Sequence, residues 1–411
     1  MTQQVSHNQS ILDRLRTKFL PEAVASGAFG DVTFVGFEPS PRQDLDQYMS
    51  DIVFGDVILS TSQGRRAESV VVKVHPNTDY AAGFEIGAHF HNEALFYCEI
   101  VPFFRKYDGG DGFLNASVPG FLYGRATGNP EDDVIILRDV TKEGFRMTEE
   151  RLFLDERHIK LALDRLAKFH SLSFKSLHED PAGFQRLVAK IRTQSVKAPT
   201  RPDSKFDFNR LKFRGLERLK RDPKYSDRLP TLEKHCEGAI KWMGSLKVHP
   251  GPLSVLTRGD CTRNNLMFKY EGNEPCEVVF VDWAVLRYST LVIDLSVLLT
   301  LNTSPEAKRT HWDDYLHTYH SALSRQLQGY PAIPFEAMEQ EMREKGVYGY
   351  YWSVFLLPAA LETDAKNRLE ALAKDDEAKM RYLMEFGGLQ ATAYLGEIVK
   401  FMFDRNYTFE L

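Results

Sequence analysis

The spacing of apolar positions changes near residue 138. Ahead of that point, short β-branched or alternating runs at 52–59, 68–74, 120–126 and 134–137 predict four strands. Polar stretches at 61–66 and 127–132, the second carrying Gly128-Asn129-Pro130, supply turn chemistry and join the strands as two antiparallel hairpins. Between the hairpins, Phe90, Ala94, Phe96, Tyr97 and Ile100 recur at mostly helical spacing over 84–104, with Pro102 near the end. Beyond residue 148 the period is helical: over 148–171, Leu152, Ile159, Leu163, Leu166 and Phe169 mark one face. One compact strand interrupts it, Val278-Val279-Phe280-Val281, which ends directly in Asp282-Trp283. The expected architecture is α+β, with a small β-rich N-terminal lobe over 1–138 and a larger, mainly helical C-terminal lobe over 139–411.

Composition narrows the class without naming a chemistry. The 411 residues are 43% hydrophobic and 27% charged, close to globular averages, so disorder, collagen and coiled coil are excluded for most of the length. With 52 Lys and Arg against 57 Asp and Glu, a formal net charge of −5 argues against a strongly basic nucleic-acid binder. The four cysteines, Cys98, Cys236, Cys261 and Cys276, lack both zinc-site pairing and disulfide density, and suit a reducing cytoplasm. The first residues lack the apolar core and cleavage site of a secretory signal, and no apolar stretch reaches the roughly 20 residues that span a bilayer, so no membrane association is expected. One segment departs from the balance. Over 186–224, 13 Lys and Arg face 4 Asp and Glu, expected as a solvated helical face and loop, with an anionic partner as the alternative.

The sharpest local feature is Arg258-Gly259-Asp260-Cys261-Thr262-Arg263-Asn264-Asn265, followed 22 residues after Asp260 by Asp282 at the end of the apolar run. Phosphoryl transfer needs a carboxylate near the attacking hydroxyl and oxygen ligands for Mg²⁺, and an Asp with an Asn five residues later provides both from one loop. Asp282 would add the charged metal ligand, in the order used by protein kinases. Upstream, Lys73 lies in the run Val70-Val71-Val72-Lys73-Val74, where an ammonium needs an anion, and Glu93 follows twenty residues later in the helical segment. A strand lysine with a helix glutamate is the other half of that machinery.

With these motifs in place, the sequence resembles the ecdysteroid kinase-like family of insects, also called CHK kinase-like proteins. The runs that carry the resemblance surround Lys73, span 90–102, include Leu137-Arg138-Asp139-Val140 with Gly144-Phe145, and continue through 166–173, 259–270, 282–289 and Ile293-Asp294-Leu295. The resemblance covers roughly 45 to 360. It implies the bilobal protein-kinase-like fold of aminoglycoside phosphotransferases and choline kinases, and ATP-dependent phosphorylation of a hydroxyl on a small molecule, ecdysteroids being the named substrate class. Residue by residue, it implies that Lys73 contacts the α and β phosphates and is held by Glu93. Asp260 is then the base or hydroxyl-orienting group, and Asn265 and Asp282 bind Mg²⁺. It further implies that Leu137, Arg138, Asp139 and Val140 form the adenine hinge, that Tyr48 and Ser50 belong to the phosphate loop, and that Asp294 braces the catalytic loop.

Three positions depart from the family pattern. Arg258 stands where His usually precedes Gly-Asp, the phosphate-loop stretch Asp46-Gln47-Tyr48-Met49-Ser50 has no glycine for close approach to phosphate, and Trp283-Ala284 replaces Phe-Gln. The Gly27 to Gly30 stretch looks like a substitute phosphate loop, yet Gly30 lies 43 residues before Lys73 and is expected as an N-terminal turn. His170 is expected as a hydrogen-bonded core histidine. Two alternatives stay open: a pseudokinase acting as an interaction module, and a choline or ethanolamine kinase with ring faces from 348–352.

Overall fold

A computed structural model describes residues 9–40, 51–75, 86–110, 112–193, 207–246, 251–362 and 375–410. Tyr48 and Ser50 lie outside the described residues. The chain divides into two compact units, one of Met1–Arg146 with Lys190–Val196 and Val279–Val285, the other of Met147–Ala189, Lys197–Val278 and Leu286–Leu411.

The first unit is built on one antiparallel sheet. Residues 9–25 are helical, with a π-helical turn at Leu15–Phe19 leading into α1 (Leu20–Ala25). The strands are β1 (Thr33–Pro39), β2 (Asp51–Thr61), β3 (Gly64–Val74), β4 (Phe121–Arg125) and β5 (Val134–Arg138), in the spatial order β1-β2-β3-β5-β4. The two expected hairpins are present, and pairing of β3 with β5 fuses them into a single sheet. β1 is an addition to the expected set: it is an edge strand, mostly exposed, and its register to β2 shifts between Phe34 and Gly36, so its alternation is weak. Gly27 and Gly30 both adopt left-handed φ in the turn after α1, and the amide of Gly30 donates to Gly27, which makes this stretch the expected N-terminal turn.

Period-two alternation in β3 separates two environments. Val70, Val72 and Val74 join Leu15, Phe19, Val57, Leu59 and Ile136 in one apolar cluster. Lys73 therefore points to the opposite face, where α2 (Ile86–Leu95) lies; that helix continues through a π-helical turn, Phe96–Ile100, and Val101–Phe104.

The second unit is mainly helical. Helix α3 (Glu156–Glu179) starts eight residues later than the apolar spacing suggested, because Asp155 caps it: its carboxylate accepts the His158 amide at 3.0 Å. Then come α4 (Leu229–Ser245), strands β6 (Ser254–Thr257), β7 (Leu266–Glu271), β8 (Glu274–Phe280) and β9 (Arg287–Thr290), and α5 (Val292–Asn302), α6 (Pro305–Gln326), α7 (Val347–Leu361) and α8 (Gly388–Asp404). β6 pairs with β9, and β7 with β8. The apolar runs that were too short to span a bilayer are α5, buried at every residue, and α7. No helix among the described residues is long and apolar enough to cross a membrane.

The basic stretch is not simply a solvated face. The Arg214 guanidinium is buried and donates to Phe386 O, Gly388 O and Thr392 Oγ1, pinning the start of α8, while the buried Lys212 donates to Asn209 Oδ1. Lys224 pairs with Asp404 at 2.8 Å.

Lys308, in the first turn of α6, is 3% exposed, donates to Thr303 O, and stands 5.7 Å over the Phe153 ring. Burial pulls its ammonium down to about 7. Above that pH the folded chain has released a proton that the unfolded chain keeps until about 10.4. Stability is therefore expected to rise between about pH 7 and 10, by up to about 1.4 kcal/mol per pH unit. Lys308→Met should remove that slope and stabilise the protein below pH 7, measured by denaturant unfolding across pH; an unchanged slope would refute this account.

Candidate functional site

The two units each carry one group of the sequence-predicted residues. In the first unit, Lys73 sits on a central strand, paired to Ile52 on one side and Ile135 on the other. Its Nζ donates to both carboxylate oxygens of Glu93, at 2.7 and 2.8 Å, and lies 3.5 Å from Asp282 Oδ1. Lys73 and Glu93 are buried, whereas the Asp282 side chain is 41% exposed. Burial alone would lower the Lys73 ammonium, but the carboxylates of Asp282 and Glu93 outweigh it and hold its pKa above the ordinary value.

Asp282 has φ of 61°, the left-handed region that Asp tolerates better than most residues. The next residue holds it there. The Trp283 indole is fully buried, stacks on Phe96 at 3.9 Å with planes 7° apart, and donates from Nε1 to Phe280 O at 3.0 Å. Its amide donates to Glu93 Oε1 at 3.4 Å. The larger ring at 283 is thus accommodated by the π-helical turn that carries Phe96.

Leu137, Arg138, Asp139 and Val140 lie where β5 runs into a 3₁₀ turn, Val140–Glu143. The Asp139 carboxylate caps this turn, accepting from the amide and hydroxyl of Thr141, and the Asp139 amide donates to Ser69 O. Leu137 and Val140 are buried, and Arg138 reaches Glu68.

The second unit holds the loop after β6. Gly259 adopts φ of 78°, which a side chain would resist, and this turns its amide onto Asp294 Oδ1 at 2.8 Å. The preceding amide, of Arg258, donates to Asp294 Oδ2 at 2.7 Å. Asp294 also faces His170 Nε2 at 3.1 Å, and His170 Nδ1 meets the Tyr319 hydroxyl at 2.6 Å, so the histidine is a hydrogen-bonded core residue. Burial would raise the Asp294 carboxyl, yet His170 and the two amides outweigh it and hold it below its ordinary value. Asp260 is only partly buried, and Asn265 Nδ2 donates to Asp260 O at 3.3 Å.

Arg258 is fully buried, with Nη1 3.8 Å from Cys261 Sγ. The brace from Asp294 takes only the main-chain N–H at 258, so exchange of histidine for arginine leaves it intact. Burial also removes the Arg258 side chain from the surface. Sequence reasoning missed Asn302, whose amide accepts from Arg263 N and donates to Cys261 O on this same loop. Its only local signal was a polar residue at the end of an apolar run.

The chain belongs to the ecdysteroid kinase-like family, which matches residues 44–330. Among solved structures, an ADP-bound aminoglycoside phosphotransferase is 14% identical, covering 91% of this chain and 98% of its own, with TM-score 0.36. A choline kinase from Cryptosporidium parvum Iowa II is 11% identical over 90% of each chain, TM-score 0.40, and a Plasmodium vivax ethanolamine kinase is 12% identical over 86% of this chain and 82% of its own, TM-score 0.37. No curated protein matches the sequence.

The Lys73 and Glu93 pair sets a measurable balance. Glu93→Gln leaves a buried ammonium with one partly exposed carboxylate, and should cost about 3–5 kcal/mol in denaturant unfolding. The double substitution Lys73→Met, Glu93→Leu should recover most of that loss; equal instability of single and double variants would contradict an electrostatic origin.

Proposed function

We propose that this chain is a Mg²⁺- and ATP-dependent phosphotransferase that phosphorylates a hydroxyl of a small molecule, an ecdysteroid or another steroid or xenobiotic alcohol. The observation that carries the proposal is the buried Lys73, doubly bonded to Glu93 and facing a half-exposed Asp282. A structural lysine paired with Glu93 would need no second, solvent-facing carboxylate; a phosphate-binding lysine beside a metal ligand would have one. Glu93 orients the Lys73 ammonium, and Lys73 donates to the α and β phosphates. The Asp282 carboxylate and the Asn265 side-chain oxygen fit a hard cation, which takes oxygen ligands. Asn265 uses its NH₂ on Asp260 O, and its oxygen accepts no hydrogen bond from any described residue. Bound Mg²⁺ would neutralise charge on the transferring phosphoryl group.

Asp260 accepts or orients the proton of the attacking hydroxyl, and Asp294 keeps the loop in register beneath it. Leu137, Arg138, Asp139 and Val140 are proposed to line the adenine, with Tyr48 and Ser50 near the phosphates. The division into an N-terminal lobe over 1–138 and a C-terminal lobe over 139–411 is part of the same proposal, as is a cytoplasmic site of action, which the four unpaired cysteines support.

A steroid or xenobiotic alcohol is favoured over a choline or ethanolamine acceptor, whose cationic amine needs a cage of ring faces, by the rings at 348–352. Tyr348 and Tyr351 are buried and already face cations of the chain itself, Arg287 at 5.9 Å and Lys212 at 5.7 Å. The hydroxyls of Tyr350 and Tyr351 bond to Lys212 O and to Cys236 and His235. These rings do not form an open ammonium cage.

Purified protein is expected to transfer phosphate from ATP to one or more members of a steroid and xenobiotic alcohol panel, only with Mg²⁺, and Asp260→Asn should lower that rate at least about 10²-fold. Full activity in Asp260→Asn would sink the assignment. Nucleotide at about 100 times its dissociation constant should add roughly 2.7 kcal/mol of stability. The absence of any thermal shift at millimolar Mg²⁺ and ATP would favour the interaction-module alternative.

A further inference from the structure

Helix α5 is buried from end to end, and both of its ends hold the loop that carries Asp260. In its first turn Asp294 takes the amides of Arg258 and Gly259, the two residues before Asp260. At its last residue, Asn302 takes the other side. Asn302 Nδ2 donates to Cys261 O at 2.8 Å, the residue directly after Asp260, and to Leu298 O at 2.9 Å within the helix. Its Oδ1 accepts the amide of Arg263 at 2.8 Å. Asp260 is the residue between the two clamped pairs.

The chemistry at 302 is specific. A single planar amide supplies two donors and one acceptor here, and at 1% exposure water does not replace them. Aspartate keeps the acceptor and loses both donors, setting a carboxylate against two carbonyl oxygens. The helix end is itself tied down, since Leu154 N donates to Asn302 O at 2.8 Å. The loop is fastened beyond it as well: the Arg263 guanidinium donates to Thr148 O at 3.0 Å and Thr148 Oγ1 at 3.2 Å.

We propose that Asn302 is a positioning residue for phosphoryl transfer, which with Asp294 makes α5 a two-point mount that presents the Asp260 carboxylate in one orientation. The catalytic part of this rests on the proposed phosphotransferase function; the clamp itself does not. Reaction geometry is sensitive at the scale of an ångström, so a loop released on one side lowers turnover more than it lowers binding. Asn302 touches none of Lys73, Glu93 or Asp282 through any hydrogen bond.

The test combines kinetics with amide exchange. Asn302→Ala is expected to lower kcat about 10- to 100-fold while KM for ATP stays within about twofold. Asn302→Asp should lower kcat further. Ser296→Ala, buried on the same helix with its hydroxyl on Ile293 O, provides a packing control and should leave kcat unchanged. Exchange at the Arg263 amide should accelerate at least about tenfold in Asn302→Ala, while the amides of Arg258 and Gly259 stay protected by Asp294. In the unsubstituted protein the Arg263 amide should exchange more slowly than that of Asn264, which keeps the clamp testable if the variants fail to fold. Unchanged kcat in Asn302→Ala, a matching loss in Ser296→Ala, or unprotected Arg263 in the unsubstituted protein would each overturn the proposal. Should the protein transfer no phosphate to any acceptor, the phosphotransferase function fails alone, and the exchange at Arg263 still decides whether Asn302 clamps the loop.

Discussion

An ammonium taken out of water must meet a carboxylate, and the β-rich unit is organised around that requirement at Lys73. The lysine sits on a central strand whose other face is committed to the apolar cluster of Val70, Val72 and Val74. Its side chain has one direction available, toward the helix that carries Glu93. Two oxygens of Glu93 take two of its three donors, and Asp282 Oδ1 stands 3.5 Å from the same Nζ. The central position of β3 and the placement of α2 together keep this charge paired.

The helical unit solves the mirror-image problem. There the buried charge is the Asp294 carboxylate, and its donors are two backbone amides and a histidine. Because two of the three are main-chain groups, the arrangement depends on the conformation of the Gly259 turn more than on the side chain at 258. That is why arginine at 258, a large departure in chemistry, coexists with an undistorted brace. The buried guanidinium rests near the Cys261 thiol.

Burial divides the polar residues by task. Lys73, Glu93 and Asp294 are inside, where fixed partners set their orientation. Asp282, Asp260 and Asn265 keep partial exposure, which a group that meets a ligand requires. Rigid interior charges beside semi-exposed ones fit the proposed function, in which positioning would supply most of the rate.

Much of this was legible in the residues. The runs of β2, β3, β4 and β5 read as strands because they are short β-branched or alternating stretches bounded by polar turns, and Lys73, Glu93, Asp260, Asn265 and Asp282 stood out by type and order. β1 did not, since an exposed edge strand has little apolar alternation to detect. The start of α3 was misplaced because periodicity cannot see a cap, although Asp155 was there to be read as one. Asn302 could not be singled out at all: its partners at 261 and 263 lie about forty residues away, and only folding brings a helix end against that loop. Local pattern determined which residues could carry charge and chemistry. Tertiary structure decided which charges are buried, which backbone groups answer them, and therefore which side chains are left facing outward, because desolvation and pairing depend on neighbours distant in the chain.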